Sequence, residues 1–473
     1  MASSTITRFP PSPTGPLHIG NVRTALFNYL FARKMGGEII LRFEDTDRKR
    51  SKREYEDHAY ESLEWLGLTF DHIYRQSERT LIYRKYLEKM IEEGTAYVSK
   101  EADLEFEDAG GEDQDEESER ERRDEVIRLK NPNKKVVFED LVRGEIEVDT
   151  TELGDFVIAK SLEEPLYHFA VVTDDFEMGI THVIRGEDGI YNTPRQILIQ
   201  EAIGAPRPIY CHIPFVFGPD KKKFSKRHGA ISVLDYRDEG ILPEALLNYL
   251  ALLGWNPGTP QEIFTPEELI AAFDLGKVQK AGAVFDPEKL RWINQEHIKR
   301  MDEATFKKHA YAVLASRIAA NPHWNEQRFD KLVPELKNRI TVFKDLDLMW
   351  EGGEFDYLFA LPSYDAKLLV PTPKDGKPPT LKKVTKHLHF VSDLLEKLEE
   401  ASFTKEGVKE ALAAYAEKEG RGNVLWPLRV ALSGRERSPD PYTLCDILGK
   451  TEVLRRLQEA LTLLKADTPK KED

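Results

Sequence analysis

The sequence predicts a multidomain α/β plus α protein: a doubly wound nucleotide-binding domain, an α+β domain inserted into it, and an all-helical C-terminal half. Three observations predict this architecture. Strands and helices alternate from residue 5 to about residue 98, β-rich stretches and an acidic segment then interrupt the alternation, and helical periodicity dominates from about residue 305. A chain of 473 residues is long enough for three or four domains, each with its own core.

The first predicted unit is a βαβ arrangement. An alternating strand covers residues 5–9, an amphipathic helix covers about 20–35, and a second strand covers 38–43. Gly36 and Gly37 follow the helix, as glycines commonly do at helix ends. The loop between the first strand and the helix therefore lies at the carboxyl edge of a parallel sheet, where open α/β sheets bind nucleotides.

The sheet is then interrupted and resumes. The β-rich stretches 135–149 and 155–160 belong to the predicted insertion, and a strand at 180–185 returns to the first sheet. A helix is predicted from Thr193, with Thr193 as its N-cap and Gln196 as the reciprocal capping residue. These signals place two separate stretches of chain in one sheet.

A further strand at 208–217 leads into a lysine-rich loop and brings that loop to the same edge of the sheet as His18. Beyond it strands are scarce, and helical patterns take over, as at 243–253, 403–418 and 451–464. The sequence therefore predicts a helical second half.

The net charge of −15 is concentrated in one segment. Residues 101–125 hold fourteen acidic side chains and three arginines, a local charge of −11, which leaves −4 for the rest of the chain. Because the segment is poor in apolar residues and contains Gly110 and Gly111, we expect a mobile, solvated loop, and a regulatory or electrostatic role is the alternative. The near-neutral remainder is compatible with a basic surface that binds nucleic acid.

The composition, 40% hydrophobic and 32% charged, is typical of a soluble globular protein. The sequence has no run of about 18 apolar residues and no basic leader at its start, so we expect a cytoplasmic protein without membrane contact. Cys211 and Cys445 fall in different predicted domains, and we expect both to be buried and unpaired.

Two short segments carry the strongest functional signal. The first contains His18-Ile19-Gly20-Asn21, and the second, residues 222–227, reads Lys-Lys-Phe-Ser-Lys-Arg. They resemble the HIGH and KMSKS signatures of class I aminoacyl-tRNA synthetases. The blocks 42–48 and 167–188 narrow the resemblance to the glutamyl-tRNA synthetases, over nearly the whole chain up to about residue 300 and more loosely beyond.

The resemblance gives each predicted region a role. The regions are a class I synthetase Rossmann-type catalytic domain (1–98 and 179–235), an inserted acceptor-binding domain (99–178), a helical stem-contact domain (236–320) and a helical anticodon-binding domain (321–473).

The resemblance assigns ATP chemistry to both signatures. Its catalytic residues are His18, Lys223 and Lys226, and its ATP contacts are Thr14, Gly15, His18, Gly20, Asn21, Ser225 and Lys226. The residue types suit this chemistry, because a helix N-terminus favours an anion and lysines neutralise charge that develops on a triphosphate. The attacking amino-acid carboxylate is already ionised, so no general base is needed, and Mg²⁺ is expected to accompany ATP.

For the amino acid, the resemblance implies contacts from Arg8, Ser12, Glu44, Tyr167 and Arg185. A guanidinium grips a carboxylate through two parallel hydrogen bonds, which a glutamine amide cannot reproduce. Glu44 is expected to hold the substrate ammonium. From the residues alone, an ion pair between Arg8 and Glu44 and a core position for Tyr167 remain the alternatives.

Other candidate residues carry weaker signals. Glu187 and Asp188 are candidates for contact with ATP or with the acceptor end of tRNA. No zinc site is expected, because residues 73–167 contain neither Cys nor His. His387 and His389 lack a third ligand, and we expect them on an exposed helix surface.

The candidate tRNA contacts are four arginines near Trp426, which would join positive charge to a stacking surface for unstacked bases. They are Arg421, Arg429, Arg435 and Arg437. The alternative is that Trp426 belongs to the core and that the arginines form a solvated face.

The resemblance implies a monomeric glutamate–tRNA ligase. Glutamate and ATP would give glutamyl-adenylate, and the glutamyl group would pass to the 2′-hydroxyl of the terminal adenosine of tRNA(Glu), with tRNA(Gln) as a second partner to consider. The main alternative is a glutaminyl-tRNA synthetase, but that family has a glutamate at the position of Ser12 and reads the anticodon with β-barrels.

Three further alternatives fit less well. A non-catalytic tRNA-binding paralogue would be expected to lack His18 or Lys226. A truncated relative that glutamylates a modified tRNA base has no C-terminal domain, and a small nucleotidyltransferase would leave the C-terminal half unexplained.

Overall fold

The computed structural model describes residues 4–100, 125–218, 232–372 and 377–466. The chain divides into two compact units, Met1–His297 and Ile298–Asp473. Two predicted features lie outside the described residues: the acidic segment up to residue 124, and the lysine-rich loop with Lys223, Ser225 and Lys226. The finer division into four domains stays a prediction.

The N-terminal unit alternates strands and helices. Its strands are β1 (Ile6–Phe9), β2 (Glu38–Phe43), β3 (His72–Arg75), β4 (Ala96–Lys100), β5 (Glu125–Leu129), β6 (Lys135–Asp140), β7 (Gly144–Asp149), β8 (Val157–Ser161), β9 (Glu164–Pro165), β10 (His182–Gly186), β11 (Ile209–Ile213), β12 (Val216–Phe217) and β13 (Ala283–Val284). Its helices are α1 (Ile19–Lys34), α2 (Arg53–Trp65), α3 (Thr80–Glu92), α4 (Tyr167–Glu177), α5 (Thr193–Ile203), α6 (Val233–Asp238), α7 (Pro243–Leu252) and α8 (Pro266–Ala272). The boundary between the two units falls within α9 (Pro287–Arg300).

The central sheet is parallel and doubly wound, as predicted. β3, β2 and β1 pair in that order, and β10 pairs in parallel with β11. β10 lies beside β1, since the Thr181 N–H donates to the Ile6 carbonyl oxygen at 3.0 Å. The order β3–β2–β1–β10–β11 reverses its direction between β1 and β10, and the crevice at the carboxyl ends of these strands is the expected ligand site.

The predicted insertion shares a core with this sheet. The hairpin β6–β7 joins the sheet through Asp140 of β6, which pairs in parallel with Tyr210 of β11, while β4, β5, β8 and β9 form a separate antiparallel sheet. Buried residues from both regions form one hydrophobic cluster, which includes Ile40, Tyr83, Ile127, Val136, Phe169, Ile197 and Tyr210. Asp140 therefore comes from the insertion but lies at the edge of the nucleotide-binding sheet.

Two local predictions were wrong. Thr193 is not an N-cap: its backbone is already helical, because a 3₁₀ turn at 187–192 runs directly into α5 and makes Asn192 the cap. The strand predicted at 208–217 is broken at Pro214, which has no N–H for a ladder hydrogen bond, and β12 pairs with β13 instead.

The C-terminal unit is helical, with no strand among its described residues. Its helices are α10 (Glu303–Ala320), α11 (Glu326–Arg339), α12 (Asp345–Glu351), α13 (Asp356–Phe359), α14 (Leu381–Lys397), α15 (Lys405–Glu419), α16 (Arg421–Ser433), α17 (Pro441–Leu448) and α18 (Lys450–Ala466). α16 packs against α14, α15, α17 and α18. The buried Arg456 of α18 donates to the carbonyl oxygens of Tyr357 and Ala360 at 2.8 and 3.0 Å, which ties α18 to α13.

Within the described ranges, none of the helices combines the length and the apolar content that a membrane span requires.

Candidate active site

The charged residues predicted to bind the substrate lie at the carboxyl ends of parallel strands. Arg8 is the penultimate residue of β1, Glu44 follows β2 directly, and Arg185 is the penultimate residue of β10. Tyr167 begins α4, which lies at the C-terminal end of the predicted insertion. Side chains at these positions meet at the same edge of the sheet.

A buried aspartate of α4 connects the first two strands. Asp175 Oδ1 lies 3.3 Å from Arg8 Nε and 2.7 Å from Arg42 Nη1, and Arg42 Nη2 donates to Glu44 Oε1 at 3.1 Å. All four side chains are buried. Burial opposes ionisation of Asp175, but Arg8 and Arg42 together lower the pKa of its carboxyl group. Glu44 therefore pairs with Arg42, whereas the simple alternative paired it with Arg8.

One nitrogen of the Arg8 guanidinium makes no hydrogen bond to the described residues. The side chain is only 1% exposed, yet Nη1 has no hydrogen-bond partner among the described residues. Buried donors in native proteins are nearly always paired, because an unpaired one costs about 1–3 kcal/mol. An acceptor group on a ligand would satisfy it.

Asp174, the neighbouring residue of α4, lies 3.9 Å from Arg42 Nε through its Oδ2. It accepts hydrogen bonds from Gln76 Nε2 at 3.0 Å, Arg79 Nε at 2.6 Å and the Tyr83 hydroxyl at 2.7 Å. Sequence reasoning missed both aspartates. The available signal was two consecutive carboxylates in the C-terminal part of a short, otherwise largely apolar helix, which is an unusual place for negative charge.

Glu44 and Tyr167 have displaced pKa values. Burial raises the pKa of Glu44 to about 7, although Arg42 and Arg8 act to lower it. Burial also raises the pKa of the Tyr167 phenol to about 12; Glu44 adds to this increase, whereas Arg185 and Arg8 oppose it. Charged groups from β1, β2 and β10 thus all act on one phenol, so the structure brings these four predicted residues together.

Three hydrogen bonds hold the Arg185 guanidinium in place. Its Nε donates to His212 Nε2 at 3.0 Å, and its Nη2 donates to the Gly189 carbonyl oxygen at 3.0 Å and to the Thr193 hydroxyl at 2.8 Å. Arg185 and His212 are direct neighbours in the parallel register of β10 and β11. Sequence reasoning missed His212 and Thr193, since nothing in their spacing indicates this contact.

His18 and Asn21 form a reciprocal cap at the start of α1. His18 Nδ1 accepts from the Gly20 N–H at 3.1 Å, and Asn21 Oδ1 accepts from the His18 N–H at 3.3 Å. Because Nδ1 accepts, the neutral imidazole carries its proton on Nε2. A Cβ at position 20 would lie 3.0 Å from His18 Cε1, so a larger residue there would require the imidazole to shift slightly. The first signature therefore presents an imidazole N–H donor at a helix N-terminus.

The chain that follows the lysine-rich loop returns to this place. Ser232, the first described residue after the loop, pairs with His18 as an antiparallel bridge. His58 of α2 joins both sides: its Nε2 lies 2.7 Å from Ser232 Oγ, and its Nδ1 accepts from the Leu17 N–H at 3.4 Å. Sequence reasoning missed His58, which lies in an ordinary amphipathic helix.

The remaining predicted contacts in the first loop are at least partly accessible. Ser12 is exposed, and Thr14 and Gly15 are half-buried. The loop is attached to β2, because the Glu44 N–H donates to the Pro11 carbonyl oxygen at 3.1 Å. The loop therefore lies beside the backbone of Glu44.

Several other candidates have structural partners. Glu187 accepts from the Phe215 N–H at 2.7 Å and pairs with Arg143 of the β6–β7 hairpin. Cys211 and Cys445 are free and buried, as predicted. The described residues contain no group of three or more His, Cys, Asp or Glu side chains placed to hold a metal ion.

The prediction for the histidine pair of α14 was wrong for His387. His389 is exposed, but His387 is buried, and its Nδ1 lies 2.8 Å from the Tyr415 hydroxyl. It faces α15 because it shares the buried stripe of α14 with Leu388 and Val384.

The four arginines predicted to contact tRNA lie on or just after α16. Arg421 and Arg437 are exposed, whereas Arg429 and Arg435 are half-buried. Arg435 Nη2 donates to the Gly352 carbonyl oxygen at 2.8 Å. Two of the four guanidinium groups are thus accessible to a polyanion.

Trp426 borders a cavity of about 510 Å³ in the C-terminal unit. Its Nε1 donates to the Leu368 carbonyl oxygen at 2.9 Å, and the side chain is half-buried. Other residues that line the cavity are Tyr364, Lys367, Val370, Gly434 and Glu436. One edge of the indole is therefore fixed in the protein, while the ring borders an open space.

The chain is similar in sequence to two described protein families and to several proteins of known function. Residues 4–292 match the family described as "tRNA synthetases class I (E and Q), catalytic domain", and residues 305–461 match the family described as "Anticodon binding domain". A glutamate–tRNA ligase of Carboxydothermus hydrogenoformans is 42% identical over 95% of this chain and 98% of its own length. One from Aquifex aeolicus is 51% identical over 62% of this chain and 67% of its own.

Solved structures give the same result. A crystal structure of a glutamate tRNA ligase from Elizabethkingia meningosepticum, in complex with its amino acid, is 32% identical and superposes with a TM-score of 0.80, covering 97% of this chain and 99% of that one.

Proposed function

The chain belongs to the class I tRNA synthetases for glutamate and glutamine and is a glutamate–tRNA ligase, and on this premise we propose that the crevice at the carboxyl edge of its sheet holds glutamate beside ATP. The proposed glutamate contacts are Arg8, Ser12, Glu44, Tyr167 and Arg185. One observation carries the proposal: the buried Arg8 keeps Nη1 unpaired among the described residues, and its charge acts on the buried carboxylate of Glu44. An unpaired guanidinium donor and a carboxylate in one site suit the two ends of a zwitterionic amino acid.

The reaction begins with attack by the glutamate α-carboxylate on the α-phosphate of ATP. A P–O bond forms to the carboxylate and pyrophosphate leaves. The 2′-hydroxyl of the terminal tRNA adenosine then attacks the glutamyl carbonyl carbon, the bond from that carbon to the phosphate oxygen breaks, and AMP leaves. Catalysis in this scheme is positioning plus charge stabilisation. His18 Nε2–H is the proposed donor to phosphate oxygens, at a helix N-terminus that already favours an anion.

Lys223 and Lys226 are the proposed cations of the transition state. Lys226 precedes Ser232 by six residues, and an extended chain of that length spans at most about 20 Å. Since Ser232 pairs with His18, the lysine has enough chain to reach the same triphosphate. The remaining ATP contacts we propose are Thr14, Gly15, Gly20, Asn21 and Ser225. Mg²⁺ enters as part of the ATP substrate.

The proposed substrate is tested by exchange of labelled pyrophosphate into ATP, measured with glutamate and with glutamine, each in the presence and absence of tRNA. We expect exchange with glutamate alone among the two amino acids, and faster exchange when tRNA(Glu) is present. Exchange with glutamine and not with glutamate would overturn the amino-acid assignment. An absence of exchange under all conditions would favour a protein that only binds tRNA.

Glutamate binding is expected to weaken as the pH falls below 7. The Glu44 carboxyl has a pKa of about 7, so it is ionised and attracts the substrate ammonium at pH 8 but is mostly protonated at pH 6. We expect the KM for glutamate, at saturating ATP and tRNA, to rise about tenfold between pH 8 and pH 6.

Glu44→Gln is the matched variant for this test. It keeps the size and the acceptor oxygen but removes the titration, so its KM should be high at pH 8 and change little down to pH 6. If the variant keeps the pH dependence of the wild type, another group causes it and Glu44 does not hold the ammonium.

The anticodon-binding family match supports tRNA as the partner of the C-terminal unit. We propose that Arg421, Arg429, Arg435 and Arg437 contact it, and that a base stacks at Trp426 beside the cavity. Charging of purified tRNA(Glu) and tRNA(Gln) at several salt concentrations tests both the partner and the electrostatic contribution. The monomeric state and the cytoplasmic location stay predictions.

A further inference from the structure

The guanidinium of Arg185 is fixed on three of its five N–H donors. The donor of Nε and both donors of Nη2 are occupied by His212, Gly189 and Thr193. The described residues give Nη1 no partner. A guanidinium held this way has a fixed plane and offers the two N–H donors of one nitrogen, Nη1, to the oxygen atoms of a ligand.

Gly189 lies so close to the Arg185 side chain that a larger residue would clash with it. A Cβ at this position would lie 2.3 Å from Arg185 Nε and 2.6 Å from Cδ, so no larger residue fits without moving the guanidinium. The 3₁₀ turn at 187–192 therefore contacts the Arg185 side chain through Gly189, and Thr193, the first residue of α5, also contacts it.

His212 accepts from Arg185 only in one tautomer, and Asp140 selects it. His212 Nδ1 lies 2.7 Å from Asp140 Oδ2, which also accepts from the His212 N–H at 3.0 Å. Burial opposes ionisation of Asp140, but hydrogen bonds from His212, Arg143 and Val142 lower the pKa of this carboxyl. An ionised carboxylate only accepts, so Nδ1 must donate and Nε2 must accept.

The ring is also kept neutral. Burial lowers the pKa of His212 to about 4, against the opposing effect of Asp140, and Arg185 and Arg8 lower it as well. A protonated ring would present Nε2–H to the Arg185 Nε–H, two donors face to face. The neutral ring with its proton on Nδ1 is the one form that can hold Arg185.

We propose that His212 and Asp140 are positioning residues that aim the Arg185 guanidinium at the side-chain carboxylate of glutamate and so contribute to discrimination against glutamine. The proposal rests on the proposed function of Arg185. Asp140 comes from the predicted insertion, so this region contributes to amino-acid selection through two hydrogen bonds, in addition to any contact with tRNA.

The test compares variants of the full-length enzyme in tRNA-dependent pyrophosphate exchange. His212→Leu removes the acceptor at similar size, and we expect the KM for glutamate to rise about 10- to 100-fold with kcat and the KM for ATP within about twofold of wild type. His212→Gln retains an acceptor and should recover most of the loss. Discrimination between glutamate and glutamine should fall in proportion to the glutamate KM.

His182→Leu is the matched control, since this histidine lies at the other end of β10 and contacts Thr181 and Phe31. Its glutamate KM should stay at the wild-type value. An unchanged glutamate KM in His212→Leu overturns the proposal, as does an equal loss for glutamate and ATP, which a structural role would produce. If His212→Leu does not fold, Asp140→Asn provides the same test, because it disturbs the tautomer of His212 and leaves the ring in place. The same rise in the KM for glutamate is then expected.

Arg185→Leu separates this inference from the proposed function. A large rise in glutamate KM in Arg185→Leu, without one in His212→Leu, refutes only the positioning role. An unchanged KM in Arg185→Leu refutes the role of Arg185 itself.

Discussion

Replacing Arg42 by methionine is expected to lower the free energy of unfolding of the N-terminal unit by about 3–5 kcal/mol. Arg42 is fully buried and pairs with Asp175 and Glu44, and its Nε lies 3.9 Å from Asp174 Oδ2. Methionine fills much of the same space but carries no charge, so up to three buried carboxylates lose a cation. An uncompensated buried charge costs far more than the original ion pair contributed.

Urea unfolding followed by circular dichroism measures this effect, with the first transition of the full-length chain as the readout. Arg84→Met is the matched control, because Arg84 forms exposed ion pairs with Glu88 and Glu163 on the surface of α3. Exposed pairs contribute little, so the control should leave the midpoint nearly unchanged. If the two variants shift the midpoint equally, the buried cluster does not stabilise the fold in the way described.

The sheet could be predicted because its signals are local. The β1–α1–β2 unit is visible in the alternation of residues 5–9, the periodicity of the helix and the two glycines that end it, all within about forty residues. The same local patterns failed at Thr193, where the capping signal was present but a 3₁₀ turn had already started the helix. Only the fold brings Arg185 to that hydroxyl.

The residues of the candidate site that are proposed to contact the substrate could be predicted, whereas the residues that orient them could not, again because sequence signals are local. Arg8, Glu44 and Arg185 stand at strand ends and in blocks that resemble a known family, so their role could be expected. The residues that hold these side chains in place could not be predicted from the sequence. Asp175 is 167 residues from Arg8 in the chain, and Asp140 is 72 residues from His212, and no spacing rule connects residues that far apart.

The contrast between these two groups has a physical basis. Residues that touch a substrate are limited by the chemistry of that substrate, so their types are recognisable wherever they occur. Residues that orient them need only the complementary donor or acceptor, which many side chains can supply. His58 is such a case: it bridges Leu17 and Ser232, and this contact forms only in the folded protein.

Removal of the His18 imidazole is expected to reduce kcat for glutamate activation by about 10²- to 10³-fold, the usual loss when one transition-state donor is removed. Two variants separate this role from the structural one. His18→Ala loses both the imidazole and the cap that accepts from the Gly20 N–H, whereas His18→Asn keeps a side chain that caps helices well. Both variants should lose activity to a similar extent, and only His18→Ala should lose about 1 kcal/mol of stability.

The comparison depends on measuring both quantities in the same proteins. Tm values report the cap, and kcat for tRNA-dependent pyrophosphate exchange reports the imidazole, with the KM for glutamate expected to change little because Arg8, Glu44 and Arg185 are untouched. If His18→Asn is stable and retains kcat within a few-fold of wild type, His18 acts only as an N-cap, and the phosphate donor must be sought elsewhere in the site. If it is stable but inactive, the N–H on Nε2 is the group that the reaction uses.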